Sequence, residues 1–292
     1  MATLRDIKLR IKGVKSTQQI TKAMKMVAAA KLRRATESIL NARPYAKKIS
    51  VLLSHLVNED DKQSNPLFAD RDVKNVAVIV VTTDRGLCGA FNTNILKEAT
   101  RYVEEEIRQK GLEHQLYCLG KKGSDYFGRR NYNVAASYPG IFSQINYSVA
   151  QKLVDEIIPK YLDGSIDKVI IIFNEFKSII QQKIVVEQFL PITSGDEKAN
   201  DSHESANYIY EPDQKAIFNY LIPKHLKGQM WRVLLESNAS EFAARMTAMD
   251  NATTNAKELI RSLSLTYNSK RQAAITTEIL EIVSGANALK EN

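Results

Sequence analysis

A chain of 292 residues with 44% hydrophobic content can build one or two folded domains, and its net charge of +8 lies far from neutral. It has no run of eighteen apolar residues, which excludes a membrane-spanning helix. Its two cysteines, Cys88 and Cys118, exclude a disulfide scaffold and fit a reducing compartment, while His55, His114, His203 and His225 stand in no metal-ligand spacing.

The charge is concentrated at the start. Between Met1 and Lys48, thirteen Lys and Arg are opposed only by Asp6 and Glu37, a local excess of +11. Such a segment expects an acidic partner: nucleic acid, an anionic membrane or an acidic protein surface. Tyr45 is its sole aromatic residue, so it lacks the stacking groups of a nucleic-acid module. The opening Met1-Ala-Thr-Leu-Arg has no apolar signal core, and helical periodicity begins at Leu4, so no leader or transit peptide is expected.

From Leu4, steps of three and four pass through Ile7, Ile11, Val14, Gln18, Thr21, Lys25, Ala28, Leu32, Ala35, Ile39, Ala42, Ala46, Ile49, Leu53 and Leu56. A helix packed on a globular core drifts at period 3.6, whereas a heptad held this long predicts a coiled-coil strand. The alanines admit close approach of a partner, and Pro44 predicts a local bend. Residues 58–72 are a polar linker. Val76–Val81 reads as a buried strand leading into the turn-rich Thr82–Asn92, with Asn92 or Thr93 capping a helix to about Gln109. A strand at His114–Leu119, a short helix at Lys121–Arg129, a strand at Asn133–Ser137 and a helix at Tyr147–Leu162 follow. Strands at Lys168–Asn174 and Gln182–Pro191 complete an α/β alternation, mainly parallel with an antiparallel pair at its end.

After a polar stretch at Thr193–Asn207, one helix is expected from about Glu211 to Leu289, a rod of roughly 115 Å. Its seam steps through Phe242, Met246, Met249, Thr253, Ala256, Ile260, Leu263 and Tyr267, then loses its apolar character at Lys270 and Ala274. The fold class is therefore α/β plus coiled coil. The terminal segments form a long antiparallel two-helix coiled coil, and a Rossmann-like α/β domain is inserted between them. The expected divisions are residues 1–57, 73–208 and 211–289. With Asn58 beside Glu211, Leu4 falls opposite about residue 265, and the last 20–25 residues continue alone for about 30–35 Å. That overhang carries Ile275, Ile279, Leu280, Ile282 and Val283, apolar surface that must be covered by other chains.

No catalytic set emerges. Gly86-Leu-Cys-Gly89 follows a strand and precedes a helix, but its spacing fits neither phosphate-loop pattern, and Gly120-Lys-Lys-Gly-Ser124 also fails. Turn glycines account for both. Asp84-Arg85 reads as a local ion pair or cap, and Cys88 as a small packed residue with no histidine nearby in sequence. No cofactor and no metal are expected.

Four stretches together resemble the gamma subunit of F-type ATP synthase. They are Leu4-Arg-Asp-Ile-Lys through Ser16–Lys31, Asp84–Asn92, Ala243–Met249 and Arg271–Ala286, and the resemblance covers nearly the whole chain. It implies a central rotor shaft coupling rotation of a membrane c ring to ATP synthesis or hydrolysis. The tip would turn in an apolar bearing inside three alpha and three beta subunits, with epsilon and the c ring below. Position by position, it implies beta-subunit contacts at Met24, Lys25, Arg245, Gln272 and Thr276, a bearing at Ile275, Ile279, Leu280, Ile282 and Val283, and a c-ring foot at Tyr208, Tyr210 and Glu211. Taken on their own residues, Met24 is a coiled-coil flank and Gln272 part of a solvated face. The resemblance further implies a non-catalytic subunit, peripheral on the cytoplasmic face of a bacterial plasma membrane, without the closely spaced cysteine pair of the chloroplast type. Outside the resemblance, the competing reading is a non-enzymatic coiled-coil scaffold with a degenerate nucleotide-fold domain.

Overall fold

The computed structural model defines residues 3–56, 65–69, 71–179, 181–192, 211 and 213–290, with their side chains except at 47, 50, 54, 55 and 287–290. The elements are α1 (Leu4–Leu56), β1 (Asn75–Val81), α2 (Phe91–Arg101), β2 (Glu113–Leu119), α3 (Lys121–Gly128), β3 (Val134–Tyr138), α4 (Tyr147–Leu162), β4 (Lys168–Phe176), β5 (Gln182–Leu190) and α5 (Gln214–Lys290). They divide into two units, Met1–Ala28 with Met246–Asn292, and Ala29–Arg245.

The first unit is a pair of helical segments. Its start is set by a capping box: Asp6 N donates to Thr3 Oγ1, and Thr3 N donates to Asp6 Oδ2. Thr21 Oγ1 and Thr253 Oγ1 share a hydrogen bond of 2.8 Å, and Lys25 Nζ lies 2.6 Å from Asp250 Oδ1. Residue numbers rise on one segment as they fall on the other, so the pair is antiparallel. All seven seam positions expected from Leu4 to Lys25, and Ala28 after them, are buried or half-buried, with Ile7, Thr21 and Ala28 the most enclosed. On α5 the half-buried seam runs past Tyr267 through Lys270 to Ala274, and every residue from 275 to 286 is exposed. The expected end of the seam at Tyr267 is thus corrected. Stepping back from Thr21 opposite Thr253, Leu4 falls opposite about Lys270 rather than residue 265. Equal counting from a distant anchor at Asn58 and Glu211 had set the expected register, and bonded pairs inside the seam override it.

In the second unit α1 and α5 keep the antiparallel sense. Lys31 lies over the Phe242 ring, and Gln214 Nε2 donates to the Leu56 carbonyl. The eight seam positions from Leu32 to Leu56 are again buried or half-buried, and α1 continues through Pro44. A five-stranded sheet in the order β3-β2-β1-β4-β5 forms the middle. The first four strands are parallel and β5 is antiparallel to β4, as the alternation predicts. β1 is buried on both faces. Ala77, Ile79 and Val81 point toward a core shared with α4 and with the sheet-proximal parts of α1 (Ile49, Leu53, Leu56) and α5 (Phe218 to Leu234). Val76, Val78 and Val80 point toward a second core with α2 and Phe127 of α3. The alternation follows from the two-residue period of a strand.

Two local expectations are corrected. Helix α2 begins at Phe91 behind Ala90, with no side-chain cap, because Asn92 is bonded elsewhere. It also leaves α geometry at Arg101 and passes through a π turn, Tyr102–Ile107, and a 3-10 turn, Arg108–Lys110, before Gly111 ends it at φ 71°.

Candidate functional site

Two places carry the residues singled out in the sequence. The first lies at the carboxyl ends of β1 and β4. Strand order reverses across β1 there, which is where open α/β sheets bind ligands. Two strands, β2 and β3, lie on one side of β1 and two, β4 and β5, on the other. The loop after β1 carries Asp84, whose carboxylate is bonded on the β2–β3 side of β1. Asp84 Oδ1 accepts from the backbone N–H of Lys121 at 3.0 Å and of Gly140 at 2.7 Å, and Oδ2 accepts from Phe142 N at 3.0 Å. Donors of this kind, one of them at the N-terminus of α3, suit an anion. Here the anion is the chain's own side chain. The expected local cap at Asp84 is therefore a tertiary one joining three loops.

The surrounding polar groups are also committed internally. Thr82 Oγ1 donates to the Leu119 carbonyl and accepts from Gly123 N at 2.8 Å. Gly120 is required beside it: φ is 92°, and a Cβ would lie 2.4 Å from the Thr82 carbonyl oxygen. Asn92 Nδ2 donates to Thr83 Oγ1 at 2.8 Å and to Cys88 Sγ at 3.2 Å, and Thr83 N donates to Asn92 Oδ1. Cys88 is buried, and burial pushes its thiol pKa up, with the Arg245 charge opposing. A raised thiol is a poor nucleophile, in line with a packing role. α5 packs against the ends of β1 and β4. Ser240 Oγ donates to the Asn174 carbonyl at 3.1 Å, and Arg245 donates to the carbonyls of Arg85 (3.4 Å) and Gly86 (3.2 Å) while pairing with Glu241 at 2.7 Å.

The second place is the helix pair of the first unit. Met24 and Lys25 are half-buried on α1. The Lys25–Asp250 pair is solvent-exposed, and such a pair contributes at most about 1 kcal/mol. The cationic side chains of Arg5, Lys8, Arg10, Lys12, Lys15 and Lys22 all face solvent. Beyond Ala274, Gln272's neighbour Thr276 spends its hydroxyl on the Gln272 carbonyl at 3.0 Å, and both residues are exposed. Ile275, Ile279, Leu280, Ile282 and Val283 are 47%, 55%, 61%, 71% and 50% exposed, so every large apolar residue of the tip is uncovered.

The structure thus brings Met24 and Lys25 into one unit with Gln272, Thr276 and the tip. It places Arg245 in the other unit, fixed to the Asp84 loop. Glu211 is exposed at the foot of α5, and Tyr208 and Tyr210 lie outside the described residues. Sequence reading missed Glu241 and the three-way capping by Asp84, because the partners of Asp84 lie far along the chain. No three His, Cys, Asp or Glu among the described residues group as a metal site, and no described helix is long and apolar enough to cross a membrane.

The sequence signature of the ATP synthase family matches residues 3–289. The ATP synthase gamma chain of Chloroherpeton thalassium is 54% identical over 100% of both chains, and that of Chlorobaculum tepidum 52% identical over 100% of both. The chain belongs to the ATP synthase gamma chain family. The family's place in the enzyme is the central rotor shaft. Among solved structures, the central stalk and c-ring assembly of Tetrahymena thermophila mitochondrial ATP synthase contains a similar chain. It is 27% identical, with a TM-score of 0.61, over 80% of this chain and 99% of that one. A rotor chain of the Euglena gracilis mitochondrial enzyme shares the fold, at 21% identity and TM-score 0.64 over 93% of this chain and 98% of that one.

Proposed function

We propose that this chain, as a gamma subunit, transmits torque without catalysing any step itself. Its C-terminal tip runs in a sleeve formed by three alpha and three beta subunits, and its α/β domain meets the epsilon subunit and the c ring. The observation that carries this reading is the tip. From 275 to 286 a single helical segment exposes five large apolar side chains after its seam has ended, a surface unsuited to water. Apolar contact is weakly directional, so such a bearing holds a shaft on axis without fixing its angle.

On the same reading Met24 and Lys25 meet an acidic loop of a beta subunit, Gln272 and Thr276 make polar contacts near the tip, and Tyr208, Tyr210 and Glu211 form the foot on the c ring. Exposed cations along α1 give the shaft one charged side. An asymmetric shaft shifts a surrounding subunit only through contacts that differ between that subunit's states, and a one-sided charge supplies them. Arg245 stands apart: its bonds to Glu241 and to the Asp84 loop make it a fixed support first, and any beta-subunit contact would use its remaining donors. The complex is peripheral, on the cytoplasmic face of a bacterial plasma membrane.

Co-expression with alpha and beta subunits, followed by native mass spectrometry, tests the assembly. One copy per three alpha and three beta subunits is expected. Three copies per complex, or recovery with nucleic acid instead of these subunits, would overturn it.

A further inference from the structure

Within the second unit, α5 lies on the α/β core along one buried stripe: Phe218, Ile222, Leu226, Met230, Val233 and Leu234. At about 100° per residue these positions share one face of the helix. Apolar contact is weakly directional, so such a stripe holds α5 down but sets its rotation about its own axis only loosely. A shaft needs that rotation set, because torque entering through the α/β domain would otherwise roll the helix in its seat.

Polar contacts flank the stripe on both sides. Lys227 Nζ lies 2.7 Å from Asp155 Oδ1 on α4, and Arg232 Nη2 lies 2.5 Å from Glu187 Oε1 on β5. Measured from the middle of the stripe, Lys227 stands about 100° to one side and Arg232 about 120° to the other. Arg232 also lies over the Phe173 ring of β4, at 5.7 Å. Arg245, about five turns beyond Lys227, returns to the Lys227 flank and bonds the carbonyls of Arg85 and Gly86. Partly exposed ion pairs of this kind contribute little to stability. Charge-assisted bonds do fix distance and direction, which apolar packing does not. On opposite flanks they oppose rolling in opposite senses: turning α5 one way stretches Lys227–Asp155, and turning it the other way stretches Arg232–Glu187.

We propose, resting on the shaft role, that Lys227 and Arg232 are positioning residues that key α5 to the α/β domain. Through Asp155 and Glu187 they fix the rotational setting of the helix, so that torque passes from domain to shaft without α5 rolling. All four residues belong to the second unit.

The full chain assembled with alpha and beta subunits tests this, with a magnetic bead on the α/β domain and torque applied in each sense. Asp155→Ala and Glu187→Leu each remove one pair while leaving α5 unaltered, and Arg232 keeps Glu236 at 3.8 Å. Each variant should melt within about 4 °C of the parent. Angular fluctuation of the bead should rise about twofold in each, the modest scale of such pairs. The softening should be directional. Asp155→Ala should yield mainly under torque of one sense and Glu187→Leu under the opposite sense, the latter further because Arg245 still serves the Lys227 flank. Lys227→Asp combined with Asp155→Lys rebuilds the pair and should return parental stiffness. Parental stiffness in both single variants overturns the proposal, as does softening that is equal in both senses or that persists in the charge swap. A parent complex whose bead does not turn when ATP is added overturns the shaft role, and the proposal with it.

Discussion

The guanidinium of Arg245 and the carboxylate of Glu241, one helical turn apart on α5, lie 2.7 Å from each other with side chains only 12% and 7% exposed. Burial raises the Glu241 carboxyl pKa, and Arg245 pulls it back by charge and hydrogen bond. Removing one partner of such a pair strands the other, which typically costs about 3–5 kcal/mol. Arg245→Ala should therefore lower the stability of the isolated chain by about 3 kcal/mol in denaturant unfolding, and Arg245→Lys by less. Arg245→Ala paired with Glu241→Leu should recover much of the loss. Gln272→Ala, at an exposed position, should leave the same unfolding curve within about 0.5 kcal/mol. A variant at Arg245 with parental stability would show that its bonds to the loop after β1 contribute nothing to folding.

Part of this was legible in the sequence. The α1 seam was, because a period of 3.5 sustained from Leu4 to Leu56 leaves no other packing solution, and each named position is enclosed. β1 was legible because six consecutive apolar residues have only a two-faced burial to go to. The Asp84 site was not. Its partners Lys121, Gly140 and Phe142 stand 37, 56 and 58 residues away, and no local pattern announces them. Asn92 misled in the opposite direction. A good capping residue at a helix start is a local signal, yet Thr83 and Cys88 compete for its side chain and win. The helix-pair register was off by about one turn and a half because heptads repeat: a shifted pairing still matches apolar positions, and the bonded pairs Thr21–Thr253 and Lys25–Asp250 fix it.

Two glycines separate backbone strain from crowding. Gly111 and Gly120 both have positive φ, 71° and 92°. An added Cβ meets nothing within 4 Å at Gly111, whereas at Gly120 it meets the Thr82 carbonyl oxygen at 2.4 Å. Gly111→Ala should cost about 1–2 kcal/mol, the left-handed penalty alone. Gly120→Ala should cost clearly more, because backbone must shift under the Asp84 loop. Thermal unfolding of both variants checks the order, and equal costs would remove crowding from the explanation.

Acid should act through His225. Burial lowers its pKa from 6.5 to about 4, and the Arg232 charge adds to the effect. The unfolded chain thus takes up this proton near pH 6.5 while the folded chain still excludes it. The associated stability is present above pH 6.5 and is lost as the pH falls from there toward 4, to a limit of about 3 kcal/mol. Glu236 and Glu241, whose folded pKa values are raised, act in the opposite sense over the acid range, since protonation relieves their burial. The parent curve alone therefore mixes opposed effects. The difference between the parent and His225→Phe isolates the histidine, and it should grow in favour of the variant between pH 6.5 and 4.5. A pH-independent difference would show that His225 does not resist protonation in the folded chain.

The tip separates folding from assembly most cleanly. Residues 275–286 are exposed throughout, and their removal takes away no described burial from either unit. A chain ending at Ala274 should unfold in denaturant with the parental midpoint for its α/β part. It should also self-associate less in sedimentation, because Ile275, Ile279, Leu280, Ile282 and Val283 are gone. In the assembled complex the same chain should lose torque or assembly yield, measured by single-molecule rotation and by recovery with alpha and beta subunits. A shifted unfolding midpoint would mean that the tip folds back on the chain. Full coupled activity with parental yield would mean that the shaft is held elsewhere, by the charged face of α1 rather than by an apolar bearing.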